Sequence, residues 1–208
     1  MPLVRRDPTA SPPPSQGSQG DLASHIAALS GQDAEDRWIA ARALGGHADA
    51  VPALAAALGA EQVPRVREAI MTALMRIGDA ASVIALVPYL RSQDAGLRAA
   101  ATEALQAMSG AVMPFMTSLF WDGDSDVRLL ATELARNMPA AEATHLLCSL
   151  LEHEQHPNVC AAAVEVLAEV GTREAIPALE ACAGRFAGTP FLPFAVSIAI
   201  ARISNTES

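Results

Sequence analysis

The densest set of side chains able to do chemistry lies between His145 and Cys160, as His145, Cys148, Glu152, His153, His156 and Cys160. On a helix, His145, Cys148 and Glu152 fall at i, i+3 and i+7 and share one face. His153 and His156 come near the following turn, and Cys160 sits on the next helix. Imidazole and thiolate are zinc ligands, but no standard zinc spacing is present. Cysteine also packs as a small apolar residue, so no metal is assigned to the cluster. Asp122, Asp124 and Asp126 in WDGDSDVR are spaced like the start of a calcium loop without its glycine and terminal glutamate. Helix capping accounts for Asp124 or Asp126. No GxSxG elbow occurs. All fourteen basic residues are arginine, which excludes a Schiff-base lysine, a P-loop lysine and the lysine of a kinase-like site. No catalytic constellation emerges, and no cofactor is expected.

The elements that carry these residues repeat. Arg37, Arg67, Arg98, Arg128 and Cys160 recur at intervals of 30 to 32 residues. A second marker follows each, at Pro52, Ile84, Pro114, His145 and Pro177. Two inward positions come after every second marker: Leu54 and Leu58, Leu86 and Leu90, Met116 and Phe120, Leu147 and Leu151, Leu179 and Ala183. Two markers coinciding over five units make a structural repeat. Each unit reads as a helix, a turn and a second helix. In DAGLRAAATEALQAMSG, Asp94 suits an N-cap, Leu97, Ala101 and Leu105 form one stripe, and Ser109-Gly110 is expected to close the helix. Gly78 and Gly171 are expected to close the corresponding helices of units two and five. The second helix often opens with proline, which a first turn tolerates. Neither helix hides its apolar stripe alone, so the units must stack.

The segments DAGLRAAATEAL, DSDVRLLATELA and GTREAIPALEAC resemble HEAT-like repeats, particularly the short type found in phycobilisome lyases. The resemblance covers about residues 33 to 186. It implies an all-α, right-handed α-solenoid of about five helix-turn-helix units, with a scaffold role for the recurring Asp33, Asp94, Asp124 and Arg37, Arg67, Arg98, Arg128. The aspartates would cap first helices and the arginines would pair with them or with a neighbouring carboxylate, as a ladder. Val63 replaces the aspartate in unit two, and His156 and Cys160 replace both partners in unit five, so the ladder is expected to be interrupted there. HEAT-like di-iron hydroxylases carry several His-Glu pairs. This chain has one, His153-Glu154, at the end of a unit, which does not support two irons.

The expected organisation is a disordered tail over 1–20, rich in Pro, Ser, Gly and Gln, then a repeat domain over 21–208. A lone helix near Asp21 to Leu29 precedes units at about 33–62, 63–93, 94–123, 124–155 and 156–186, with a cap over 187–208. Alanine is roughly a fifth of the 208 residues, which favours helix. The formal charge of −9 repels phosphate backbones, so no nucleic acid is expected as a partner. No secretory leader or membrane span is read. Three cysteines, Cys148, Cys160 and Cys182, are an odd number without CxxC spacing, so a reduced, cytoplasmic protein is expected.

Binding is the function this pattern favours. If the +2 and +6 positions point inward, the outward positions of the second helices are small or uncharged: Ala53, Ala56, Ala85, Phe115, Ser118, Ser149, Ala178 and Ala181. Such a groove suits a helix or extended segment of another protein. Trp121, Phe115, Tyr89, Ser118 and Ser149 are the candidate contact residues, with Trp121 first among them because aromatics anchor interfaces. Phe120 is expected in the core, and Trp38, which follows a ladder arginine, is expected either as a contact or packed under the N-terminal helix. The segment PFLPFAVSIAIARI is apolar nearly all round. It either wraps into the last unit, which its apolarity favours, or docks on another chain, including a second copy to give a homo-oligomer. The leading function is thus a non-enzymatic scaffold or adaptor. The resemblance implies an alternative, an accessory protein of the phycobilisome lyase type acting on bilin attachment to a carrier protein.

Overall fold

The computed structural model describes residues 16–189 and 191–205. The first fifteen residues of the expected tail, and Pro190 and residues 206–208 of the expected cap, lie outside it. Among the described residues there is no strand, and the fold is all-α with the helical-repeat organisation expected. No helix among them is long and apolar enough to cross a membrane. The residues group into two compact units that divide between Ala73 and Leu74. The first holds α1 (Gln16–Ala28), α2 (Ala34–Leu44), α3 (Val51–Ala60) and most of α4 (Pro64–Ile77). Helix α1 starts inside the stretch assigned to a disordered tail. Its later turns pack on α2, and a helix nucleated by packing propagates backwards cheaply.

The second unit follows with α5 (Ala80–Leu86), α6 (Ala95–Ala107), α7 (Ser109–Val112), α8 (Met116–Phe120), α9 (Ser125–Ala135), α10 (Ala140–His153), α11 (Pro157–Val170), α12 (Ile176–Arg185) and α13 (Phe191–Asn205). First helices α6, α9, α11 and α13 pack in succession, and second helices α8, α10 and α12 form the other layer. Nine of the ten inward positions, from Leu54 to Leu179, are buried, and Ala183 is half-buried. Proline shapes the second helices more than a first-turn role implies. Val87–Arg91, around Pro88, and Met113–Phe115, around Pro114, are 3₁₀ turns, because a proline inside a helix removes an N–H donor. Ser109-Gly110 does not close α6. That helix ends at Ala107, and Ser109 opens α7. Gly78 does end α4, with φ +65°, a conformation glycine adopts without strain.

The recurring arginines occupy the same turn of each first helix. The main-chain N–H groups of Arg37, Arg67, Arg98, Arg128 and Cys160 donate to the carbonyls of Asp33, Val63, Asp94, Asp124 and His156, four residues back. Asp33, Asp94 and Asp124 cap their helices, accepting from the N–H groups of Glu35, of Gly96 and Leu97, and of Asp126. The guanidinium groups do something else. Each donates to a carbonyl six residues back, in the loop before its helix: Gly31 (3.0 Å), Glu61 (2.7 Å), Ser92 (2.5 Å) and Asp122 (2.9 Å). In unit five the Cys160 thiol reaches the Glu154 carbonyl at 3.6 Å from the same position. The arginines therefore fasten inter-helix loops, satisfying carbonyls that secondary structure leaves unpaired.

Candidate functional site

The best-defined concavity among the described residues is built from three consecutive pieces of the second unit. Helix α8 ends at Trp121, whose N–H donates back to Thr117 and Leu119. An acidic turn follows, in which Asp122 accepts the N–H of Asp124 at 2.9 Å and pairs with Arg91. Asp124 then starts α9 and places Arg128 one turn in. Helix α10 runs alongside with Leu146, Ser149, Leu150 and His153, and ends at Glu154. Together these residues line a cleft of about 290 Å³, completed by Thr117, Phe120 and Gln155.

The floor of the cleft is charged yet internally neutral. Arg128 donates to Glu154 through Nε (2.7 Å) and Nη2 (3.1 Å), and to the Asp122 and Gly123 carbonyls through Nη1. Glu154 also accepts the N–H groups of Gln155 and His156 at 2.9 and 2.8 Å. Burial alone pushes the Glu154 carboxyl up, but the Arg128 guanidinium and the two N–H groups outweigh it and hold it below the usual carboxylate range. The same bond raises Arg128 above its ordinary value. Four of the five guanidinium donors are thus used within the chain.

The mouth is aromatic. Trp121 is 64% exposed, and its ring lies 5.3 Å from that of His153 at an interplanar angle of 53°. His153 Nδ1 lies 3.2 Å from the Ser149 carbonyl. A carbonyl only accepts, so this contact fixes the tautomer with the proton on Nδ1. Leu150 and Phe120 are buried behind the rings. The arrangement offers an apolar wall, an aromatic edge and no uncompensated charge, which suits recognition of an uncharged group.

Of the five candidate contact residues, Trp121 and Ser149 line this cleft. Ser118 is exposed on α8, with its hydroxyl donating to the Phe115 carbonyl at 2.8 Å. Phe115 and Tyr89 are half-buried in the 3₁₀ turns. Trp38 is half-buried between the guanidinium groups of Arg42 and Arg65, at 4.5 and 4.2 Å from its ring centre. The six residues of the His/Cys cluster do not converge. Among the described residues no three His, Cys, Asp or Glu side chains are placed to hold a metal ion. His145 and His156 are exposed, Cys148 is half-buried, and Cys160 is buried. Hydrogen bonding to Cys182, and then burial, push the Cys160 thiol far above its ordinary value.

In unit five the arginine ladder does break, because Cys160 stands in place of the guanidinium and its thiol reaches only the Glu154 carbonyl, and no side chain caps α11. Ahead of units two and five, where the capping aspartate is missing, Glu61 and Glu154, two residues before Val63 and His156, instead bind the arginine of the preceding unit. Glu61 accepts the N–H groups of Gln62 and Val63 and binds Arg37 through Nε (2.7 Å) and Nη2 (3.1 Å). These are the interactions Glu154 makes with Arg128. In the sequence Glu61 was passed over and Glu154 was weighed only as half of the His153-Glu154 pair, although a signal for this role exists: Glu-Gln-x-Pro occurs at 61–64 and again at 154–157.

A second concavity, of about 620 Å³, lies within the first unit over the Arg37–Glu61 pair. Counted from the arginine and from the glutamate, its lining corresponds position for position to the first cleft. Leu29 stands where Phe120 does, Ser30 for Trp121, Ala53 for Leu146, Ala56 for Ser149, Ala57 for Leu150 and Ala60 for His153. The fold therefore makes the same cleft in each unit, and only the second has an aromatic mouth.

A family model for HEAT repeats matches residues 22–106 and 113–185. The chain belongs to the HEAT-repeat family. No curated protein matches it. Among solved structures, this HEAT-repeat chain is similar to a designed armadillo repeat protein in complex with a (KR)4 peptide, at 17% identity and TM-score 0.45, covering 88% of this chain and 99% of that one. An engineered protein of the Northeast Structural Genomics Consortium is similar at 21% identity and TM-score 0.43, over 88% and 98% of the two chains. The complex of CpcE and CpcF of phycocyanin lyase from Nostoc sp. PCC7120 is similar at 19% identity and TM-score 0.39, over 97% and 100%.

Proposed function

We propose that this HEAT-repeat protein is a non-enzymatic scaffold that binds another protein, and that the cleft beside Trp121 receives an apolar or aromatic side chain of the partner. The observation that carries this reading is the exposed indole of Trp121, propped by His153 over an apolar wall. A large exposed aromatic at the rim of a pocket is the usual anchor of a protein interface. The neutral floor sets the chemistry of the guest. An anionic group would find at most one guanidinium N–H of Arg128 still to bond, and would approach a chain of net charge −9. An uncharged side chain meets neither obstacle.

The test is a quantitative pull-down from the native host's lysate, with the Trp121→Ala chain beside the parent. A stoichiometric partner that is lost in Trp121→Ala supports the scaffold reading and its site. A partner retained equally by both places binding elsewhere, and no partner at all removes the reading. A partner carrying pigment, or a change in bilin absorption on mixing, would instead support the accessory role of the phycobilisome lyase type. Trp38 and Trp121 are the chain's two tryptophans, so Trp38→Phe leaves Trp121 as the sole indole reporter. Its emission should shift to the blue when a partner's side chain excludes water from the cleft.

A further inference from the structure

The repeat brings two cysteines together in its last unit. Arg37 and Ala57 line one cleft, and Arg128 and Leu150 line the equivalent one. The arginine position therefore meets the fifth position after the second marker. In the last repeat these two positions are Cys160, on α11, and Cys182, on α12, and no other repeat has cysteine at either. The hydrogen bonds lead to the same place. Cys160 donates to the Glu154 carbonyl at 3.6 Å, and Arg185 donates to the Leu151 carbonyl. Leu151 and Glu154 lie one turn apart at the end of α10, which packs on both α11 and α12, and Cys182 stands one turn before Arg185. There the two thiols meet in a hydrogen bond of their own. Both are free and fully buried.

We propose that Cys160 and Cys182 form a peroxide-reactive dithiol, which closes to a disulfide between α11 and α12 while the chain stays folded. The two sulfurs are unlike. The hydrogen bond from Cys160, joined by the field of the Arg185 guanidinium, outweighs burial and holds the Cys182 thiol below its ordinary value. The same bond holds Cys160 far above its own. Cys182 therefore supplies the thiolate, the form that attacks, and Cys160 keeps its proton. The Cys182 sulfur takes one oxygen of hydrogen peroxide as the O–O bond breaks. Hydroxide leaves and takes up the proton that Cys182 released. The Cys160 sulfur then attacks the sulfenic acid so formed, and the departing oxygen leaves as water with the Cys160 proton. Two thiols and one peroxide thus give one disulfide and two waters.

Burial sets which reagents can take part. Cys182 lies in the last turn of α12, beside the exposed Gly184 and Arg185, and helix ends open locally at little cost. Hydrogen peroxide is close to water in size and enters through such an opening, whereas a larger alkylating reagent does not. A disulfide of this kind is a transient, reversible modification rather than a structural staple, and a small dithiol reopens it by exchange. Oxidation also has a structural consequence. It takes from the Glu154 carbonyl the donor that a guanidinium supplies to the equivalent carbonyls of the other repeats. The loop between α10 and α11 is thus the segment that feels the change.

The experiment exposes the folded full chain to excess hydrogen peroxide at neutral pH, with far-UV circular dichroism recorded throughout. Remaining thiols are then alkylated in urea and the peptides mapped by mass spectrometry. Cleavage at arginine and glutamate puts each of the three cysteines on its own peptide. The folded chain should keep its helical spectrum and become two hydrogens lighter. Its crosslink should join Cys160 to Cys182, leave Cys148 out, and disappear with dithiothreitol. A chain unfolded in urea before peroxide is added should lose that selectivity, with Cys148 entering the crosslinks. A folded chain whose Cys160 and Cys182 stay thiols, or that pairs either with Cys148, would overturn the proposal, as would a crosslink that forms only with loss of the helical spectrum. Cys160→Ala should accumulate a sulfenic acid on Cys182 that dimedone traps, and Cys182→Ala should leave Cys160 a thiol. The reverse pattern would overturn the assignment of Cys182 as nucleophile. The parent's crosslink decides the proposal without either variant. None of these measurements involves Trp121 or its partner, so this inference and the proposed function stand or fall separately.

Discussion

Glu61→Gln is the perturbation that most directly tests the loop-closing role of the arginine–glutamate pairs. The Glu61 carboxyl takes two hydrogen bonds from Arg37 and two from main-chain N–H groups. These hold it down at about 2, against 4.5 in the absence of such partners, although burial opposes them. At 1.36 kcal/mol per unit, that depression would be worth about 3.4 kcal/mol. Arg37 still reaches water, with 17% of its side chain exposed, and solvent screening reduces the figure to about 1.5 kcal/mol. A carboxyl whose pKa is depressed on folding stabilises fully above its unfolded value. Its contribution is lost as pH falls from about 4.5 toward about 2. Glutamine has no proton to gain, so the stability difference between parent and variant should be about 1.5 kcal/mol at neutral pH and should shrink below pH 4.5. Urea denaturation at a series of pH values measures it. A Trp121→Phe background leaves Trp38, on the helix that carries Arg37, as the fluorescent reporter of the first unit. A difference that is absent at neutral pH, or that stays constant down to pH 3, would refute the reasoning.

Gly171 ends α11 at φ −71°, a conformation open to any residue, yet a Cβ there would lie 2.4 Å from the Leu167 carbonyl oxygen. Gly171→Ala should therefore cost about 1 to 3 kcal/mol in thermal or urea denaturation, and an unchanged midpoint would show that the backbone yields freely. In the native chain a thiol reagent at mildly alkaline pH should modify Cys148 alone. It should do so slowly, because burial, and then Glu152 and Glu174, raise that thiol. Cys160 and Cys182 are fully buried and should react only after denaturation. Rapid modification of two or three thiols in the folded chain would contradict that packing.

The repeat was legible because its signal is local. The recurring arginine falls at a fixed distance from a helix start, and the inward leucines at fixed distances from a second marker. Burial of Leu54, Leu86, Met116, Leu147 and Leu179 follows from helical geometry alone. The partners of the arginines were not legible, because each lies in a loop whose path depends on the packing of two helices. Asp124 looked like the natural mate of Arg128, yet it faces its own helix end, while the guanidinium turns to Glu154, 26 residues on. Glu61 and Glu154 bind the loop N–H groups of the two residues that follow each of them, whereas the aspartates cap N–H groups inside the helix, so the glutamates brace the loop rather than replace the cap. The repeated Glu-Gln-x-Pro was the one trace of this in the sequence. Trp121 stood out by type and exposure. Its contact with His153, one repeat later, required knowing that α8 and α10 run side by side.

The two equivalent clefts separate what the fold needs from what recognition needs. Both are floored by an arginine and a glutamate that close loops, so those residues are held by folding whatever the cleft contains. The side chains at the mouth carry no such duty. Ser30 and Ala60 serve the first unit as well as Trp121 and His153 serve the second. Trp121 leaves 64% of itself exposed, so burial of the rest contributes at most about 2 kcal/mol. A helical-repeat chain can vary these positions without unfolding, which is how one scaffold comes to present different surfaces in successive units. It follows that Trp121→Ala should lower stability by no more than about 2 kcal/mol while removing partner binding, whereas Glu154→Gln should lower stability and alter binding only through the shape of the floor.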